Sequence, residues 1–166
     1  MRTTLYIFSF CLMLLCGCTN RTEGQKTNWV FDHEEVISET EEDALNEIIS
    51  QFEKETTNEI VIVTTPDIGE HEKMVFYALE FGDRLGVGKK DKNNGLIIVF
   101  SSTLSETFIA TGLGTEYILT DPICKNIVDE QMVPKFRDGN YYQGIESGLK
   151  ECIRIWKEKE RTGHNN

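Results

Sequence analysis

An α/β fold of order α-β-α-β-β-α-α, a single domain with a central mixed sheet flanked by helices on both faces, is the class this sequence predicts. Three observations predict it. Glu59–Thr65 and Leu96–Phe100 are continuous apolar, β-branched runs of the kind buried on both faces of a sheet. A helical segment between them supplies the crossover that parallel strands require. A third run, Thr107–Thr111, follows a short polar turn beginning at Ser101-Ser102, which makes the second and third strands an antiparallel hairpin.

The elements follow in chain order. Residues 1–17 open with one positive charge at Arg2, continue apolar from Leu5 to Leu15, and end Leu15-Cys16-Gly17 before Cys18. The apolar run is too short for a spanning helix, which needs about 20 residues, and its basic start and small-residue exit are those of a secretory signal. The exit resembles a bacterial lipobox, so Cys18 is the expected lipidation site and the new N-terminus. Several acyl chains there would anchor the chain stably, where one would not. The alternative is an ordinary signal cut elsewhere, releasing a soluble secreted protein. Thr19 in place of Asp argues against retention at the inner membrane, and no acidic run follows that would export the chain to the surface. The expected address is the outer membrane, facing the periplasm.

Residues 18–28 read as a polar tether behind the lipidated Cys, 29–160 as the domain, and 161–166 as a disordered tail. Trp29–Asp32 reads as an apolar patch docked on the domain edge. Ser38 with Glu41 fits a capping box, and Glu39, Glu41, Glu42 and Asp43 suit the positive end of the helix dipole. Leu45, Ile48, Ile49 and Phe52 form the buried stripe of that helix. A second helix is expected from about Glu70 to Leu85, burying Met74 or Val75, Ala78, Phe81 and Leu85. Asp121-Pro122 reads as N-cap and first helical residue of a third, which meets Pro134. The last helix runs from Tyr141 to about Lys157, with Ile145, Leu149, Cys152, Ile153 and Trp156 on one face.

Composition excludes some functions. Residues 18–166 hold all 28 acidic side chains and 16 of the 17 basic ones, a formal charge of −12. A nucleic-acid partner needs the opposite balance, and phosphate substrates are repelled unless a bound cation reverses the local field. Of the cysteines outside the signal and lipobox, Cys124 and Cys152 are open to two readings: a disulfide, which an oxidising compartment permits, or two buried free thiols. No CxxC or Cys/His cluster indicates zinc, and no fingerprint indicates a nucleotide or organic cofactor. Gly112-Leu113-Gly114 follows a strand, but Tyr117 stands where a third dinucleotide-binding glycine is required. Asp91–Gly95 imitates an EF-hand opening, yet its glycine comes one place early and Ser102 occupies the twelfth position. No nucleophile motif is present, and His33, His71 and His164 read as solvent-exposed.

Hairpin geometry yields one candidate site. Gly95 opens the second strand and Thr111 closes its antiparallel partner, so both lie at one sheet edge. That places the Asp91–Asn94 loop beside Gly112–Glu116 and Asp121. Asp91, Asn94, Glu116 and Asp121 offer the hard oxygens that Ca2+ or Mg2+ prefers, with Asp32 a further candidate from the N-terminal segment. The same residues also read as turn and cap chemistry. Lys89, Lys90 and Lys92 form a local basic cluster that could contact a phosphate or simply be a solvated loop.

The order of motifs resembles the TPM domain family, named for a thylakoid lumen protein, a photosystem repair protein and an acetylcholine-receptor accessory protein. The match runs from Val30-Phe31-Asp32 through the strand Glu59–Thr65 and Gly88–Gly95 to Ala110–Glu116 with Leu119–Asp121. It closes on Met132–Ile145, which contains Pro134-Lys135-Phe136-Arg137-Asp138-Gly139-Asn140-Tyr141. The resemblance implies an α/β sandwich at a membrane, facing away from the cytoplasm. It also implies an accessory role in membrane-protein assembly or repair, calcium binding in some members, and an acid phosphatase activity reported for plant relatives. Many members carry a transmembrane helix and low-complexity tail after the domain; here lipidated Cys18 is expected to replace them. Two functions follow as expectations: a non-catalytic accessory factor for an unidentified membrane protein, or a metal-dependent acid phosphatase of low specificity.

Overall fold

The computed structural model describes residues 28–163; the signal sequence, Cys18, residues 19–27 of the tether and His164 with the last two residues lie outside them. Four strands form one mixed sheet in the order β1-β2-β3-β4: β1 is Val30–Asp32, β2 Glu59–Thr64, β3 Gly95–Ser101 and β4 Glu106–Thr111. β1, β2 and β3 run parallel, and β4 returns antiparallel to β3, pairing Thr111 with Leu96 and Glu106 with Ser101. The expected crossover and hairpin are thus both present.

Side chains alternate across β2 and β3, and both faces are covered. Ile60, Ile62, Leu96, Ile98 and Phe100 pack against α1 (Glu39–Thr56), α3 (Asp121–Ile127) and α5 (Tyr141–Gly163). Val61, Val63, Ile97 and Val99 face the opposite way, against Met74, Ala78 and Phe81 of α2 (Met74–Leu85). The capping box forms as expected, with Ser38 and Glu41 bonding reciprocally, and α1 buries Leu45, Ile49 and Phe52. Thr57 closes α1 in the left-handed conformation, its amide donating to Glu53.

Four expectations need correction. Trp29–Asp32 is not a docked patch: Val30–Asp32 is a strand, with the Ile62 amide donating to the Trp29 carbonyl at 2.8 Å. Three residues are too few to display a period of two. α2 starts four residues late, because Asp67 accepts the Gly69 amide at 2.8 Å and holds the preceding segment as a turn; its last residue, Leu85, is 43% exposed rather than buried. The cap of α3 is Thr120, in extended conformation, which moves Asp121 into the first turn. Finally, α5 continues through Gly163, so Arg161–Gly163 are helical rather than tail. Ion pairs of Arg154 with Glu151 and Glu158, and of Lys157 with Glu55 of α1, line the helix just before that extension.

Between α3 and the short α4 (Val133–Arg137) the chain makes a π-helical turn, Val128–Met132. Pro134 explains it: the ring has no amide to donate and collides with the carbonyl four residues back in a regular helix. Widening the turn by one residue relieves both, and the Val133 amide donates to the Val128 carbonyl instead. Cys124 and Cys152 are free and buried. Burial pushes the Cys124 thiol up to about 11, and Cys152 higher still, so neither is a thiolate near neutral pH.

Candidate functional site

The two loops expected to meet at the amino end of β3 do meet. Gly112 donates to the Gly95 carbonyl at 2.9 Å and Gly114 to the Asn93 carbonyl at 3.0 Å. A Cβ on Gly114 would collide with the Lys92 carbonyl, so glycine is required there by close backbone approach. The turn continues with Thr115 and Glu116 both donating to the Gly112 carbonyl. Leu113 and Tyr117, each 72% exposed, are thereby held outward on a braced loop.

The polar residues of this edge are engaged with one another. Asn94 is 5% exposed; its amide donates to the Thr57 carbonyl at 3.0 Å and to Asn58 Oδ1 at 2.7 Å, and its Oδ1 accepts the Lys89 amide at 2.8 Å. Asn58 passes the chain on, donating to Glu160 of α5 at 3.0 Å, which also accepts the Trp156 indole at 3.1 Å. Glu59 accepts the Gly88 amide at 2.6 Å and pairs with Lys89. The hydrogen bond that Lys89 donates to the Glu59 carboxylate holds its ammonium above its usual range. Lys92 donates to the Thr57 hydroxyl at 2.8 Å.

Asp91 and Glu116 are exposed on the two loops, as is Lys90, while Asp121 is exposed in the first turn of α3 and lines a cavity with Thr107–Ile109. Asp32 is elsewhere. It pairs in register with Thr64 at the far end of β2, whereas Asn94 adjoins Glu59 at the near end; five residue steps separate them, about 16 Å. There the Asp32 carboxylate accepts the Ile37 amide at 2.7 Å and the Thr64 hydroxyl, fixing the β1–α1 connection. Among the described residues no three His, Cys, Asp or Glu side chains gather where one metal ion could be held. The Asn94 side chain is already bonded three times. His33 is exposed, while His71 is half-buried beside Glu80 and Tyr77.

One residue escaped the sequence reading. Glu34 accepts four hydrogen bonds, from the amides and hydroxyls of Ser102 and Thr103, at 2.8–3.1 Å. It clamps the β3–β4 turn from 68 residues away. Nothing local in the sequence marks that role.

Fold and site together define an α/β domain whose strand-end polar residues brace loops and hold exposed apolar side chains outward. The family model of the TPM domain matches residues 30–155, and the chain belongs to that family. Among solved structures, it is similar to the N-terminal domain of a P. gingivalis protein, at 28% identity and a TM-score of 0.71, covering 78% of this chain and 82% of that one. The BA42 protein of the psychrophilic bacterium Bizionia argentinensis matches at 22% identity and 0.64, covering 76% and 85%. The N-terminal domain of the cg2496 protein of Corynebacterium glutamicum matches at 12% and 0.61, covering 78% and 80%. These last two show the fold alone. No curated protein gives a significant match. No described helix is long and apolar enough to cross a membrane.

Proposed function

We propose that this chain is a membrane-tethered, non-catalytic accessory module that docks on a membrane-protein partner through the loop following β4. The observation that carries the reading is the presentation of Leu113 and Tyr117. Large apolar side chains are usually exposed where they have freedom to collapse, yet these two stand on a turn pinned by four backbone hydrogen bonds. A tyrosine held rigidly outward loses little entropy on binding, which suits a docking contact. Tethering through Cys18 would keep that loop at the membrane surface. A photo-crosslinking amino acid at position 117 of the full chain should capture one membrane protein in cells, and Leu113→Asp should abolish the adduct. Absence of any adduct would sink the reading.

The alternative is a metal-dependent acid phosphatase. What favours it is the bond between the two loops, which sets exposed Asp91 and Glu116 on adjacent turns. Thermal unfolding across calcium, magnesium and manganese against a chelator decides it, since saturating a site at a hundred times its Kd stabilises the fold by about 2.7 kcal/mol. No shift with any ion removes the phosphatase.

A further inference from the structure

β4 is an outer strand of the sheet, and its open edge is not bare. The Gly112 amide bonds to the Gly95 carbonyl, which makes Gly95 and Gly112 a hydrogen-bonded pair. Alternation along the β3–β4 ladder then directs Glu106, Phe108 and Ala110 toward β3. The amides and carbonyls of Thr107, Ile109 and Thr111 point the other way, and among the described residues none has a backbone partner. These groups recur about every 7 Å, the repeat of an extended chain.

The edge forms one wall of a groove. α3 and the π-helical turn form the other. A cavity of about 570 Å³ lies between Thr107–Ile109 and the side chains of Pro122, Cys124 and Val128. A second, of about 470 Å³, adjoins it through Thr107 and Val128 and runs on to Phe136 and Tyr141. Ile109 is only 5% exposed, so its outward backbone groups sit in a largely apolar setting where an unmade hydrogen bond is expensive. Charge differs between the ends. Asp121 lines the groove beside Ile109, and Arg137 lines it beside Glu106; neither has an ion-pair partner among the described residues.

From this juxtaposition we infer that the groove between β4 and α3 receives an extended segment of a partner protein, which adds to the sheet as a fifth, antiparallel strand. That segment has alternating apolar residues, a basic residue at its start beside Asp121, and an acidic one at its end beside Arg137. Strand addition takes its affinity from main-chain bonds and its specificity from alternate side chains in pockets. A second copy of this chain is the poorer occupant, because two chains of formal charge −11 repel. The inference rests on the docking reading above and adds the surface and the partner chemistry to it.

The test uses the full-length chain in detergent micelles and the end-blocked peptide Lys-Val-Thr-Val-Thr-Val-Asp. Binding should slow amide exchange at Thr107, Ile109 and Thr111 by about tenfold or more, leaving Phe108 and Ala110 unaffected. N-methylating the peptide at residues of one parity should abolish binding, and the other parity should tolerate it. Asp121→Lys, at an exposed position, should weaken the peptide about fivefold, the scale of one exposed charge pair, and a peptide starting with Glu should recover the loss. Val128→Asp should block the groove directly. Equal effects of the two methylation parities, or protection mapping elsewhere, would overturn the inference. So would the same protection appearing without peptide as protein concentration rises, which would assign the edge to a second copy. If Asp121→Lys and Val128→Asp bind the peptide as the wild type does, the groove is refuted even where the position-117 adduct persists. Loss of that adduct with intact peptide binding refutes the docking loop alone.

Discussion

Asn94→Ala should cost this domain a large fraction of its stability, although Asn94 stands in what reads locally as a simple turn. The substitution removes three hydrogen bonds at 2.7–3.0 Å. The groups left behind are not equivalent. Thr57 and Lys89 are exposed and can recruit water, so each loss approaches the net value of one bond, about 0.5–1 kcal/mol. Asn58 is 5% exposed and keeps a buried Oδ1 without a donor, which costs about 1–2 kcal/mol. The expected total is about 3 kcal/mol, or a fall in Tm of about 10 °C for a domain of this size. Urea unfolding followed by circular dichroism gives the measurement, and the midpoint should move while the m-value stays constant. Because Asn58 also holds Glu160, Asn58→Ala in the Asn94→Ala background should cost about 1 kcal/mol less than it does alone. A loss below about 0.5 kcal/mol, or additive losses in the double variant, would refute the claim that this network braces the edge.

Three further outcomes are expected. Gly144→Ala should destabilise by about 1–3 kcal/mol in the same unfolding assay, since its methyl would enter the Phe136 ring, which Phe100 and Tyr141 already confine. Thr115→Val should be neutral or stabilising by up to about 1 kcal/mol, because the Thr115 hydroxyl is buried without a hydrogen-bond partner among the described residues. The thiol of Cys124 ordinarily titrates at 9.0 but is pushed up to about 11 by burial, so between these values the unfolded chain loses a proton that the folded chain keeps. Cys124 should leave stability intact below pH 9 and take away as much as about 1.4 kcal/mol per pH unit above it, with Cys152, raised further, adding to the fall; Cys124→Ala should make the slope shallower without abolishing it, and a stability that rises over the interval would contradict the sign.

What was legible in the sequence was local and periodic. Ser38 and Glu41 lie three residues apart, so their capping box needs no tertiary information. The strands β2 and β3 are largely apolar runs, and the hairpin brings Gly95 and Thr111 to one sheet edge by counting alone. That same counting brought the Asp91–Asn94 loop to Gly114 correctly. It could not reveal that Asn94 is consumed by partners 36 and 37 residues away, nor that Glu34 serves a turn 68 residues off. Asp32 was grouped with the wrong edge because β1 is too short to announce itself, and without β1 there was no register to place it. The π-helical turn was half legible: Pro134 signals an interruption but not that the chain absorbs it by widening.

The coverage of both sheet faces has a consequence for chirality. β1, β2 and β3 are parallel and lie side by side in chain order, so each crossover steps the same way across the sheet. Two right-handed crossovers would therefore lay α1 and α2 on one face, the arrangement that nearly all parallel connections obey. Here α1 covers one face and α2 the other, so one of the two crossovers is left-handed. Obedience to the rule would have laid α1 and α2 together on one face, instead of α1 with α3 and α5 and α2 opposite. A three-residue strand with little twist of its own weakens that preference at β1, and the split leaves α2 to cover Val61, Val63, Ile97 and Val99 on the second face.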